Sequence, residues 1–176
     1  MGDGFTDLRV LPLPGYEPEI GRWLWAFQDT RQQTLDSLDG LSAADLDTMP
    51  PGADNTIGTL LYHMALIEAD WLYVEALENR PIPPEIEALF SVAARDKQSQ
   101  LSSLQGMPLE DALYRLEMVR NALLEEFKGM TLEDFRRPRH FPGQYDVTPE
   151  WVLHHLIQHE VEHRGHIQTL RMLLGK

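Results

Sequence analysis

Thr148-Pro149-Glu150-Trp151-Val152-Leu153-His154-His155-Leu156-Ile157-Gln158-His159-Glu160-Val161-Glu162-His163-Arg164-Gly165-His166-Ile167 decides both the fold class and the chemistry to look for. A threonine able to cap, a proline at the first helical position and an acidic first turn open a helix that the apolar spacing carries to about Leu174. At about 100° per residue, with His159 at zero, Val152, Leu156, Ile167, Leu170 and Leu174 fall between roughly +20° and +80°. His163 falls inside that stripe at roughly +40°, whereas His155 and His166 sit at its edge near −40° and −20°. Five of the seven histidines lie in this one segment. An imidazole nitrogen left unpaired on a core face costs about 1–3 kcal/mol, so two of them one turn apart point to a bound cation.

Working outward, the apolar spacing predicts three more long helices. Glu17 to Leu38 carries Ile20, Trp23, Leu24, Phe27, Leu35 and Leu38, with Trp23 and Trp25 read as packing residues. Ser42-Ala43-Ala44-Asp45 starts a short connecting helix, and Pro50-Pro51-Gly52 breaks the chain. Thr56 to Glu78, capped by Asn55, forms the second long helix, with His63 flanking its stripe. Leu109 to Lys128, closed by Gly129, forms the third. Between them Asn79–Pro108, with a short helix near Glu85–Ala94 and a polar Lys97–Ser103 stretch, is long for a hairpin turn. A crossover the length of the bundle, with the second and third helices running the same way, explains it. Arg136–Gly143 reads as a loop, and no segment alternates as a strand does. The expected fold is an all-α four-helix bundle forming one domain over residues 1–176.

Composition narrows the function. The 176 residues are 43% hydrophobic, which suits a core of this size. No apolar run reaches the ~20 residues of a membrane span, and Met1-Gly2-Asp3-Gly4 lacks the basic start and apolar stretch of a secretion signal. A cytoplasmic protein without membrane contact is expected. The net charge of −13 opposes nucleic-acid binding. With no cysteine, a metal would have to be held by imidazole or oxygen, and any thiol in the chemistry would come from a substrate.

Three pairs on the last helix are spaced to share a cation: His155/His159, His159/His163 and His163/His166. The middle pair is the most central on the stripe. A third protein ligand must come from another helix, and His63 is the only other histidine within a predicted helix, with Glu68 and Asp70 weaker alternatives. His155 and His166 read as walls or supports of the site, His154 as solvated, and His140 as a loop residue. Glu160 and Glu162 read as surface charges, although either could act as a base. His159-Glu160-Val161-Glu162-His163 also spells the zinc-protease pattern H-E-x-x-H. Thr169 stands where the extended form of that pattern has a further histidine, few residues follow, and no edge strand is predicted to hold a peptide.

His63 within Thr56-Ile57-Gly58-Thr59-Leu60-Leu61-Tyr62-His63, together with Leu153 to Ile167, resembles the DinB-like superfamily of metal-binding four-helix bundles. His166 replaces the glutamine that commonly follows Arg-Gly in that family. The resemblance implies a triad of His63, His159 and His163 around a divalent zinc, nickel, iron or manganese ion, in a bundle that often forms homodimers. It also implies transfer of a low-molecular-weight thiol, of the bacillithiol or mycothiol kind, to a small electrophile. A non-catalytic metal-binding bundle is the alternative, and a metal-dependent hydrolase a more distant one. On that reading Arg136, Arg137 and Arg139 form a surface loop that could recognise a carboxylate-bearing thiol if it lay over the metal.

Overall fold

A computed structural model describes residues 8–176; the Met1–Gly4 reading lies outside the described residues. Four long helices carry the fold: α1 (Pro18–Asp36), α3 (Ile57–Asp70), α5 (Leu109–Lys128) and α7 (Pro149–Leu173). Short helices α2 (Ala43–Asp47), α4 (Pro84–Glu87) and α6 (Leu132–Arg136) sit in the connections. Each long helix except α5 opens on a side-chain cap: the Glu17 carboxylate accepts from Glu19 N at 2.8 Å, Thr56 from Thr59 N at 3.1 Å, and Thr148 from Trp151 N at 3.1 Å. Thr56 therefore caps α3 in place of the expected Asn55, and its hydroxyl also bonds that of Thr59 at 3.0 Å.

Two apolar clusters fill the interior. One joins Ile20, Leu24 and Phe27 of α1 to Leu72 below α3, Leu123 and Phe127 of α5, and Val152 and Leu156 of α7. The other joins Leu38 to Leu61 and Met64, Leu116, Ile167 and Leu170. The starts of α1 and α7 thus meet the ends of α3 and α5. The order is up-down-down-up, and α3 and α5 run in the same direction, as the long crossover requires.

Three local features depart from the sequence expectation. The segment Thr56–Glu78 is not one α-helix: α3 gives way to a π-helical turn at Trp71–Ala76, in which Leu77 N donates to Leu72 O at 3.0 Å. Glu78 and Asn79 then adopt left-handed φ of 55° and 60°, which ends the helix. The helix near Glu85–Ala94 is only the single turn of α4. Finally, Arg139–Phe141 (β1) and Tyr145–Val147 (β2) pair antiparallel, Arg139 against Val147. These three-residue strands are too short to show alternation; their tight turn uses Gly143 at φ 74°. Among the described residues no helix is long and apolar enough to cross a membrane.

Candidate metal centre

Between the two apolar clusters lies a polar layer. On its α3–α7 side stand His63, which is buried, and His159 and His163, which are half-buried. Their Nε2 atoms face one another: His159 Nε2 is 3.2 Å from that of His63 and 3.0 Å from that of His163. The rings of His159 and His163 meet nearly edge-on, at 79°. These are the three side chains among the described residues grouped so that a metal ion could be held. Imidazole nitrogens bound at ~2.0–2.1 Å around a tetrahedral ion would lie roughly 3.3 Å apart, so the donors already have the spacing of a ligand set.

The protons argue the same way. His63 Nδ1 and His163 Nδ1 are buried and have no partner. If their Nε2 atoms carried the protons, two buried lone pairs would lack donors. If Nδ1 keeps the proton, three Nε2 lone pairs converge on one point. Each unmet group costs about 1–3 kcal/mol; a cation at the convergence would remove the cost of the three facing lone pairs, while the two buried Nδ1 groups stay without a partner. Burial holds the imidazoles neutral, as ligands must be: His63 is pushed down to about 4 and His159 to about 3, the other histidines of the triad adding to the effect of burial. His163 is lowered chiefly by burial and then by His166, with the Glu162 carboxylate opposing.

The neighbouring residues fall into place around this centre. His155 is a wall: its ring stacks on Trp151 at 5.1 Å and 5°, contacts Trp71 at 4.3 Å and stands 6.0 Å from His159. His166 is exposed, 5.6 Å from His163, and lines a cavity of about 240 Å³ with Asn55, Leu60 and Leu173. His154 is exposed beside Trp23, whose indole also donates to Glu150 at 3.2 Å. His140, in β1 rather than a loop, is exposed and 2.5 Å from Asp146. A cation that sequence reasoning passed over, Arg95 of the crossover, is close enough for its charge to act on both His63 and His163.

Two expectations are corrected. Glu160 is not a surface charge but 3% exposed. Its oxygens accept from Arg31 Nε at 2.7 Å and Arg120 Nη2 at 2.9 Å, while Glu68 accepts from Arg31 Nη2 at 2.7 Å and Arg120 Nε at 2.7 Å. This closed ring of two arginines and two glutamates draws one residue from each long helix. It removes Glu68 from the candidate ligands and Glu160 from the candidate bases, which also undoes the protease pattern. The arginine loop lies away from the histidines, as a surface loop would, but Arg139 is buried and begins β1. Arg136 pairs with Glu19, Arg137 with Glu78 at 2.6 Å, and buried Arg139 with Asp134 at 3.1 Å, all at the end of the bundle where α1 and α7 begin. Asp70 is exposed and outside the triad.

A family model described as the DinB superfamily matches residues 26–167, a span holding all three histidines. This chain belongs to the DinB superfamily. A solved structure, a conserved protein from Enterococcus faecalis, superimposes with a TM-score of 0.69 at 14% identity, over 88% of this chain and 96% of that one. At that identity the likeness shows the fold alone. The chain finds no match among curated proteins.

Proposed function

We propose that His63, His159 and His163 hold one divalent metal ion and that the protein transfers a low-molecular-weight thiol to a small electrophile. The convergence of three neutral Nε2 atoms, that of His159 standing 3.2 and 3.0 Å from the other two, carries this reading. When bound, the ion supplies a Lewis acid that makes a coordinated thiol more acidic at neutral pH. Three imidazoles hold such an ion without offsetting its charge, and Arg95 adds positive charge nearby, so the site favours an anionic incoming group. The chain has no cysteine, and the Glu160 carboxylate is taken up by Arg31 and Arg120. The nucleophile on this reading is the substrate's own sulfur: the thiol loses its proton to water, and the sulfur then bonds to the electrophilic carbon as the leaving group departs with its electron pair.

The same reading takes the protein to be a cytoplasmic homodimer acting on small molecules, without nucleic-acid or membrane partners; light scattering at micromolar concentration checks the dimer. A metal that only joins α3 to α7 is the second reading, supported by the cavity on this side being lined by His166 and not by the triad. A panel of bacillithiol, mycothiol and glutathione with a generic electrophile separates the two. Metal-dependent acceleration that disappears in His63→Ala supports transfer. Metal retention with no acceleration by any thiol leaves the staple.

A further inference from the structure

Where the π-helical turn meets α7, an apolar pocket of about 440 Å³ opens between Trp71, Tyr145 and Trp151, with Asp146 on its rim. The two indoles touch, ring centres 5.3 Å apart, and Trp151 and Tyr145 are 46% and 42% exposed, an unusual outlay of aromatic surface for water to face. Behind the pocket sits Glu75, 6% exposed, whose Oε1 accepts from the Tyr145 hydroxyl at 3.0 Å while its Oε2 is buried and unpartnered. Burial raises the Glu75 carboxyl toward its neutral form, and the nearby Asp70 charge adds to that effect. No lysine or arginine lines the pocket.

We propose that this pocket binds the ammonium end of a small molecule, a quaternary or alkylated amine, against the faces of Trp71, Trp151 and Tyr145. Aromatic faces attract a cation at short range, most strongly when it is partly desolvated, and Asp146, which also meets His140 at 2.5 Å, puts a carboxylate in a lining that holds no opposing lysine or arginine. The π turn is the device that makes the pocket: it carries both Trp71 and Glu75, and such turns are frequent at functional sites. Trp151 lies two helical turns before His159, about 12 Å along α7, and the His155 ring, stacked on Trp151, stands between the pocket and the triad; none of the three triad histidines lines the pocket, so a cation can be bound there without the metal.

The test titrates choline, and its uncharged isostere with a tert-butyl group in place of trimethylammonium, by calorimetry and by the indole N–H signals of Trp71 and Trp151. Choline should bind about 5- to 10-fold tighter than the isostere. Trp151→Ala, exposed enough not to threaten folding, should lower that affinity about tenfold or more, Asp146→Asn a few-fold, and His63→Ala not at all. Equal affinity for the two probes, no binding of choline, undiminished binding by Trp151→Ala, or loss in His63→Ala would each overturn the proposal.

Discussion

His159 and Glu160 are adjacent on α7, and both put polar atoms into the middle of the bundle, yet their surroundings differ in kind. On one side Glu160 closes a ring with Arg31, Glu68 and Arg120, in which two positive and two negative groups meet at 2.7–2.9 Å. The spare donors are also met, Arg31 Nη1 by Leu116 O at 2.9 Å and Arg120 Nη1 by Phe27 O at 3.0 Å. On the other side His159 faces two more imidazoles, Nε2 to Nε2 at 3.2 and 3.0 Å, with no group of opposite charge between them. A buried polar layer completed by the chain itself is structural. One that the chain leaves incomplete is waiting for something from outside. The ring also serves the triad indirectly, because it fixes the rotation of α7 on which the placing of His159 depends.

The comparison can be broken most forcefully from the charged side. Arg120→Met leaves Glu68 and Glu160 with a single arginine between them. Loss of one partner from a buried ion network costs about 3–5 kcal/mol, so urea unfolding should show a drop of that order. A drop below about 1 kcal/mol would mean that the ring is slack. A double replacement of Arg120 and Glu68 by apolar residues should recover part of the loss, because fewer charges are left stranded.

Acid should act next, and differently, on the histidine side. A buried imidazole with a folded pKa below its ordinary 6.5 binds fewer protons folded than unfolded, so stability rises with pH. For His63, held at about 4, the contribution is intact above pH 6.5 and is lost as pH falls toward 4, on the order of 3 kcal/mol. Glu160, held below its ordinary value by its two arginines against the opposing effect of burial, contributes stability above about 4.5 that is lost only below it. Metal-free protein unfolded in urea at a series of pH values should thus weaken between pH 6.5 and 4, and His63→Leu should reduce that slope without abolishing it, since His159 and His163 are lowered too. A slope unchanged in His63→Leu would assign it elsewhere.

The smallest effect sharpens the boundary of the centre. Glu162 is exposed and acts on His163 only through its charge, so Glu162→Gln should change unfolding free energy by less than about 0.5 kcal/mol and leave metal content intact. A large loss of metal would make Glu162 a ligand.

How much of this was legible in the sequence follows from what a single helix can reveal. The expected helix from about Leu109 to Lys128 agrees with α5 because one stripe and a closing glycine define it. The triad was legible because the His159/His163 spacing is local and His63 was the one remaining helical histidine, and the family resemblance agreed. The charge ring escapes a reading that weighs Glu68 and Glu160 singly and gives Arg31 and Arg120 no role. A signal was present: Arg31 stands four residues from both Phe27 and Leu35, Glu68 four from both Met64 and Leu72, and Glu160 four from Leu156. A charge within an apolar stripe needs a partner, but which helix supplies it appears only once four helices have assembled. The π turn and the β1–β2 hairpin had no such signal, since one is a change of hydrogen-bond step and the other is three residues long on each side.

The central claim, that the incomplete half of the polar layer is a metal site, is tested most directly by counting metal. Protein exposed to zinc or nickel and then dialysed should carry about one ion per chain. His159→Ala and His163→Ala, shown by circular dichroism to be helical, should carry none, while His155→Ala keeps it. Undiminished metal in both His159→Ala and His163→Ala would contradict the account.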